Sequence, residues 1–128
     1  QNILPQSSTT VLLVEDNKIN MMVTGDYLIA KGYKVITAID GTEAIEQART
    51  ARPKLILMDI QIPGLDGLEA IRRIRAMPGF DSVPIIALTA LTMPGDRERC
   101  LEAGANEYLA KPASLKQLVE MMKTLIQQ

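Results

Sequence analysis

The chain contains no histidine. That excludes Ser-His-Asp and Cys-His catalysis, histidine-ligated metal centres and any phosphohistidine carried by this chain. Whatever chemistry occurs here falls to carboxylates, hydroxyls, lysine and backbone groups. There is one cysteine, Cys100, so no internal disulfide forms, and a reducing, cytoplasmic compartment is expected. Cys100 falls in a helical stretch and reads as a packing or surface residue with no redox role. Charge of either sign is scarce in excess: the formal net charge is −1. No long-range field therefore draws the protein to nucleic acid or to an anionic membrane, and neither is expected as a direct partner. No apolar run approaches the length that spans a bilayer, and no signal-peptide pattern opens the chain. The first residue is Gln rather than Met, which fits a processed product or a piece of something longer.

What is present suffices for one domain. At 128 residues, 47% of them hydrophobic and 23% charged, the composition is that of an ordinary globular protein. Residues 1–9 are polar, with Pro5 and the start of a Ser/Thr cluster, and read as a linker or disordered tail ahead of a domain over 10–128. Beyond them strand and helix patterns alternate five times. Val11-Leu12-Leu13-Val14, Val35-Ile36-Thr37-Ala38, Leu55-Ile56-Leu57-Met58, Pro84-Ile85-Ile86-Ala87-Leu88 and Glu107-Tyr108-Leu109-Ala110 read as strands. Helices are expected over about 18–31, 42–51, 67–77, 94–103 and 115–126. Asn17 caps the first and Gly32 takes its C′ position; Pro53 stops the second; Ser114 and Gln117 form a capping box for the last. In the first helix Ile19, Val23 and Tyr27, with Met22 and Leu28, are expected to form the buried stripe. The seven methionines read as core filler. Continuous apolar strands alternating with helices imply a parallel sheet covered on both faces. The expected fold is α/β: a flavodoxin-like (βα)5 three-layer sandwich whose five strands run in the order 2-1-3-4-5.

In such a sheet the residues that follow each strand meet at one edge, where ligands bind. The first strand delivers Glu15 and Asp16, the third Asp59, the fourth Thr89 and Ala90, the fifth Lys111. Each has a plain alternative: an acidic pair that caps a helix, an Asp that opens a turn, a strand-end Thr, a surface Lys. Together they form a pattern. Three carboxylates in one place repel one another, and a hard divalent cation is the usual remedy. Mg²⁺, or Mn²⁺ in its place, accepts carboxylates and a backbone carbonyl and leaves room for a phosphate oxygen. Lys111 supplies a positive charge; the Thr89 hydroxyl and Ala90 amide supply donors. A cation, an ammonium and two donors around one carboxylate describe a phosphoryl-transfer site with Asp59 as nucleophile.

The stretches Val14-Glu15-Asp16-Asn17-Lys18-Ile19-Asn20, Met58-Asp59-Ile60-Gln61-Ile62-Pro63, Ala87-Leu88-Thr89-Ala90 and Tyr108-Leu109-Ala110-Lys111-Pro112 resemble the receiver domain of two-component and phosphorelay response regulators. The likeness covers about residues 10–125 and is strongest to receivers of hybrid sensor histidine kinases. The resemblance implies that Asp59 is the phosphoacceptor. It implies that Asp16, Asp59 and the Gln61 carbonyl bind the metal, with Glu15 acting directly or through water. Thr89, Ala90 and Lys111 would hold the phosphoryl group, and the bond before Pro112 would be cis. Thr89 and Tyr108 would act as a switch that remodels the surface of the fourth helix, fifth strand and fifth helix. Ile62 and Ala113 depart from residues common in the family, Ala113 away from the DNA-binding subclass. Gln61 and Leu91 occupy places that tune phosphate lifetime.

With no histidine on this chain, the phosphoryl donor must be elsewhere: a histidine kinase or a histidine phosphotransfer protein. The expected protein is a monomeric excised hybrid-kinase receiver or a stand-alone regulator. Other readings share the topology. A flavin carrier needs a phosphate-cradling loop where Glu15-Asp16 stands. A haloacid-dehalogenase-type phosphatase needs a second Asp where Gln61 stands. A receiver-shaped module that works without phosphorylation would not need the acidic pair, Asp59 and Lys111 intact.

Overall fold

The computed structural model describes residues 9–62, 64–90 and 94–126. Among the described residues ten elements alternate: β1 (Thr10–Val14), α1 (Lys18–Ala30), β2 (Lys34–Ala38), α2 (Gly41–Ala51), β3 (Leu55–Asp59), α3 (Gly67–Arg75), β4 (Ile85–Thr89), α4 (Asp96–Ala103), β5 (Glu107–Ala110) and α5 (Leu115–Ile126). The strands form one sheet in the order β2-β1-β3-β4-β5, every pairing parallel. This is the expected α/β sandwich. All but Thr9 of the proposed tail lies outside the described residues, as do Pro63 and Leu91.

Alternation along the strands builds the two cores. Leu12, Val14, Ile56, Met58, Ile85 and Ala87 face α2, α3 and α4, where Ala44, Ala48, Ala70, Ile71, Ile74, Cys100 and Ala103 meet them. Val11, Leu13, Leu55, Leu57, Ile86 and Leu88 face the other way, onto Leu28 of α1 and Leu118, Val119 and Met122 of α5. β3 and β4 sit in mid-sheet and are buried at every position. That explains why their sequences read as unbroken apolar runs.

The caps follow local chemistry. The Asn17 side chain accepts from the Asn20 N–H at 2.9 Å, Asp40 from Glu43 N–H at 2.8 Å and Asp66 from Glu69 N–H at 2.9 Å. The Gln117 N–H donates to Ser114 Oγ at 3.2 Å, the first half of the expected capping box. Gly32 leaves α1 at φ 100°, as its C′ place requires.

Four expectations need correction. The buried stripe of α1 is not Ile19, Met22 and Val23: these are 72%, 63% and 53% exposed. The helix rests instead on Gly25 and Leu28, with Met21 and Tyr27 at its flanks. Its sequence is apolar nearly all round, so spacing alone allowed more than one face, and contact with the sheet chose. Met22, on the outer face, is accordingly not core filler, although Met58 and Met122 are. α4 begins at Asp96 rather than Pro94, because Gly95 is left-handed at φ 90° and cannot be helical. α2 does end at Ala51, as expected ahead of Pro53, and Arg52 makes the turn: it is left-handed (φ 50°), its guanidinium over the Phe80 ring and bonded to the Pro78 carbonyl. α3 stops at Arg75, two residues early. There the guanidinium bonds the carbonyls of Gly104, Phe80 and Val83 and the Asn106 side chain.

Candidate functional site

Parallel pairing continues one residue beyond several strands and carries the polar groups to one edge. Glu15 N–H donates to the Ala38 carbonyl at 3.0 Å, Ile60 N–H to Leu88 at 2.8 Å and Lys111 N–H to Thr89 at 2.8 Å. Glu15, Asp59 and Thr89 are thereby held almost wholly buried, at 5%, 3% and 1% exposure. Asp16 is exposed. Gly67, opening α3, backs this edge: a β-carbon there would lie 2.6 Å from Ile60 Cα and 2.8 Å from the Asp59 carbonyl oxygen. Only glycine lets α3 approach so closely.

Lys111 Nζ lies 3.1 Å from Asp59 Oδ2 and 3.1 Å from Glu15 Oε1. Carboxylate oxygens of Glu15, Asp16 and Asp59 lie within 4.8 Å of one another. The Gln61 N–H donates to Asp59 Oδ1 at 2.9 Å, and the Asn17 N–H to Glu15 Oε2 at 3.1 Å. Burial pushes the Glu15 carboxyl up; the Asn17 N–H and Lys111 oppose that, and the Asp59 charge adds to it. Burial disfavours the Lys111 ammonium, but hydrogen bonds and charge from Glu15 and Asp59 outweigh this and raise its pKa. Three carboxylates still face one ammonium. The surplus negative charge, carried by hard oxygens at a concave edge, is what a divalent cation such as Mg²⁺ neutralises, so the donor set fits. The peptide bond between Lys111 and Pro112 is cis, as the resemblance implies.

Thr89 ends β4 on the face that α4 covers, the side it shares with Ala87. Tyr108 stands level with Ala87 on β5 and packs against that same core. Burial raises the Tyr108 hydroxyl, with Asp96 and Cys100 adding to it. Ala90 is exposed, and its N–H donates to Gln61 Oε1 at 3.1 Å. Three contributions go beyond the sequence expectations. Its sequence position marks Asn17 only as a helix cap, yet its N–H holds Glu15. The Gln61 N–H on Asp59 could have been anticipated, since Asp commonly binds the N–H two residues on in a turn. Nothing local signalled the Gln61 side chain reaching Ala90.

A family model, the response regulator receiver domain, matches residues 11–123. The chain belongs to that family. The polar-differentiation response regulator DivK of Brucella anthropi is 40% identical over 117 residues, covering 91% of this receiver and 95% of that protein. The receiver domain of sensor histidine kinase PA1611 from Pseudomonas aeruginosa PAO1 is 45% identical, with a TM-score of 0.87 over 94% of this receiver and 98% of that chain. That structure has a magnesium ion coordinated in its active-site cleft. The signal receiver domain of a signal transduction histidine kinase from Syntrophus aciditrophicus is 31% identical, with a TM-score of 0.86 over 94% of this receiver and 91% of that chain. Among the described residues no helix is long and apolar enough to cross a membrane.

Proposed function

We propose that this receiver accepts a phosphoryl group on Asp59 in a Mg²⁺-dependent transfer from a phosphohistidine, and relays a signal through the surface of α4, β5 and α5. The observation that carries the reading is the buried Asp59 carboxylate, held by Lys111 and the Gln61 N–H beside Glu15 and Asp16. One Asp59 oxygen attacks phosphorus; the new O–P bond forms as the P–N bond of the donor breaks, and the imidazole nitrogen leaves and takes a proton from solvent. Asp16, Asp59 and the Gln61 carbonyl, with Glu15 directly or through water, would hold Mg²⁺ or Mn²⁺, which neutralises charge on the phosphoryl oxygens. Lys111 stabilises the same charge from the other side, and the Thr89 hydroxyl and Ala90 N–H donate to the equatorial oxygens. Thr89, drawn toward the new dianion, vacates space for Tyr108 on the face both share, which alters the α4/β5/α5 surface.

The absence of histidine puts the donor on a histidine kinase or a histidine phosphotransfer protein. Similarity to kinase-borne receivers supports a hybrid-kinase origin. The near-complete match to DivK supports a stand-alone regulator. In either setting the domain spans 10–128, monomeric and cytoplasmic, behind a linker or tail of 1–9. Incubation with acetyl phosphate and Mg²⁺ followed by intact mass measurement tests the reading. The expected result is a gain of one phosphoryl group that disappears in Asp59→Asn. No gain overturns it and favours a module that works without phosphorylation; a gain that persists in that variant overturns it by placing the phosphoryl group on another residue.

A further inference from the structure

The Ala90 amide follows directly from β4, beside the acidic cluster, and Ala90 has only a methyl group to shield it. Its N–H is already taken, by Gln61 Oε1 at 3.1 Å. The same residue donates its own N–H to Asp59 Oδ1 at 2.9 Å. Gln61 thus spans the site: its backbone is pinned to the reacting carboxylate while its side chain reaches across to the β4 loop. An N–H with one good acceptor is not available to another. A phosphoryl oxygen arriving at Asp59 would have to displace the Gln61 side-chain oxygen Oε1 before it could use the Ala90 donor.

We infer that the Gln61 side chain is a displaceable cap on the Ala90 amide, occupying in the resting receiver the donor that the phosphoryl group takes, so that it sets how readily Asp59 is loaded. This rests on the phosphoacceptor reading above and adds to it a role for the Gln61 side chain. The exchange favours the phosphoryl group, because a charged oxygen accepts more strongly than a neutral amide. The cap therefore yields, but loading is weakened by the worth of the bond it gives up. For a neutral hydrogen bond at an exposed position that is about two- to tenfold in affinity. Gln61 is exposed, so its side chain can swing into water without disturbing the core. It is a positioning residue: it acts through a donor and does not touch phosphorus in the resting chain.

The test uses beryllium trifluoride with Mg²⁺, a phosphoryl stand-in whose binding involves no hydrolysis, so phosphate lifetime does not enter. Gln61→Met keeps the length of the side chain and removes the acceptor; Gln61→Glu keeps an acceptor at the same reach. Affinity is read by titration, and the Ala90 amide is followed by hydrogen exchange in the metal-free, unliganded protein. Gln61→Met is expected to bind about two- to tenfold more tightly and to exchange its Ala90 amide faster, while Gln61→Glu binds no more tightly than wild type. Unchanged or weaker binding by Gln61→Met, or an Ala90 amide no less protected in it, overturns the cap and leaves the phosphoacceptor reading standing. A wild-type chain that binds no beryllium trifluoride at all overturns both.

Discussion

Replacing Lys111 by Met keeps the length of the side chain and removes the only cation bonded to Glu15 and Asp59 among the described residues. The two carboxylates it leaves are 7% and 4% exposed at the side chain, so water cannot readily take its place. Each hydrogen bond between charged groups contributes about 1.5–3 kcal/mol when well buried. Lys111 itself is 24% exposed and long, so solvent screening and side-chain entropy remove roughly half of that. Protonation offers a partial escape as well, since burial already raises the Glu15 carboxyl. The expected net loss at pH 7.5 without divalent cations is about 1–3 kcal/mol. For a domain of this size that lowers Tm by about 4–12 °C. Thermal unfolding followed by circular dichroism, in EDTA and again with excess Mg²⁺, measures it. Mg²⁺ should raise the variant's Tm, because the cation neutralises the charges that Lys111 no longer meets; at a hundred times its Kd it would add about 2.7 kcal/mol. A variant in EDTA whose Tm equals or exceeds that of wild type would refute the reasoning. It would mean that desolvating the ammonium costs as much as its two bonds return.

Three further outcomes are expected. Asp16→Asn should leave Tm nearly unchanged, because the side chain is exposed, yet weaken Mg²⁺ binding at least about tenfold, since even outer-shell losses are that large; titration calorimetry distinguishes this from no effect. Gly67→Ala should cost about 3 kcal/mol in urea unfolding, the upper range for overpacking, because the new methyl meets backbone at Ile60 and Asp59 rather than a yielding side chain; a neutral result would mean that α3 can lift away freely. Burial pushes the Cys100 thiol up from 9.0, with the Asp96 charge adding to it. The native thiol should therefore resist alkylation at pH 8 until urea unfolds the chain. Because its folded pKa is raised, its contribution is complete below pH 9.0 and drains away as pH rises through the folded value, so stability should fall more steeply above pH 9.0 in wild type than in Cys100→Ala.

The central strands were the most legible part of the chain. Leu55-Ile56-Leu57-Met58 and Ile85-Ile86-Ala87-Leu88 are buried on both faces, so no choice of face arose and an apolar run was enough. The helix starts at Asn17 and Ser114 were legible for a related reason: each side chain acts on an amide three residues away. α1 was misread because Ile19, Met21, Met22, Val23 and Leu28 surround its axis. The cap that Gln61 places on Ala90 was missed because the two residues are 29 apart in the chain. The end of α2 at Ala51 was legible from Pro53, but the left-handed turn of Arg52 beneath it, with its guanidinium over Phe80, was not.

From the order of its residues alone, this protein's strand–helix alternation and the identity of the groups ending each strand were already determined. Both follow from short-range chemistry and from the single direction that a parallel sheet imposes on its strands. The tertiary structure alone decided which side of α1 is covered, which oxygens Lys111 bridges, and that Gln61 ties Asp59 to Ala90. Those depend on distances between segments far apart in the chain, set only once two cores have packed against one sheet.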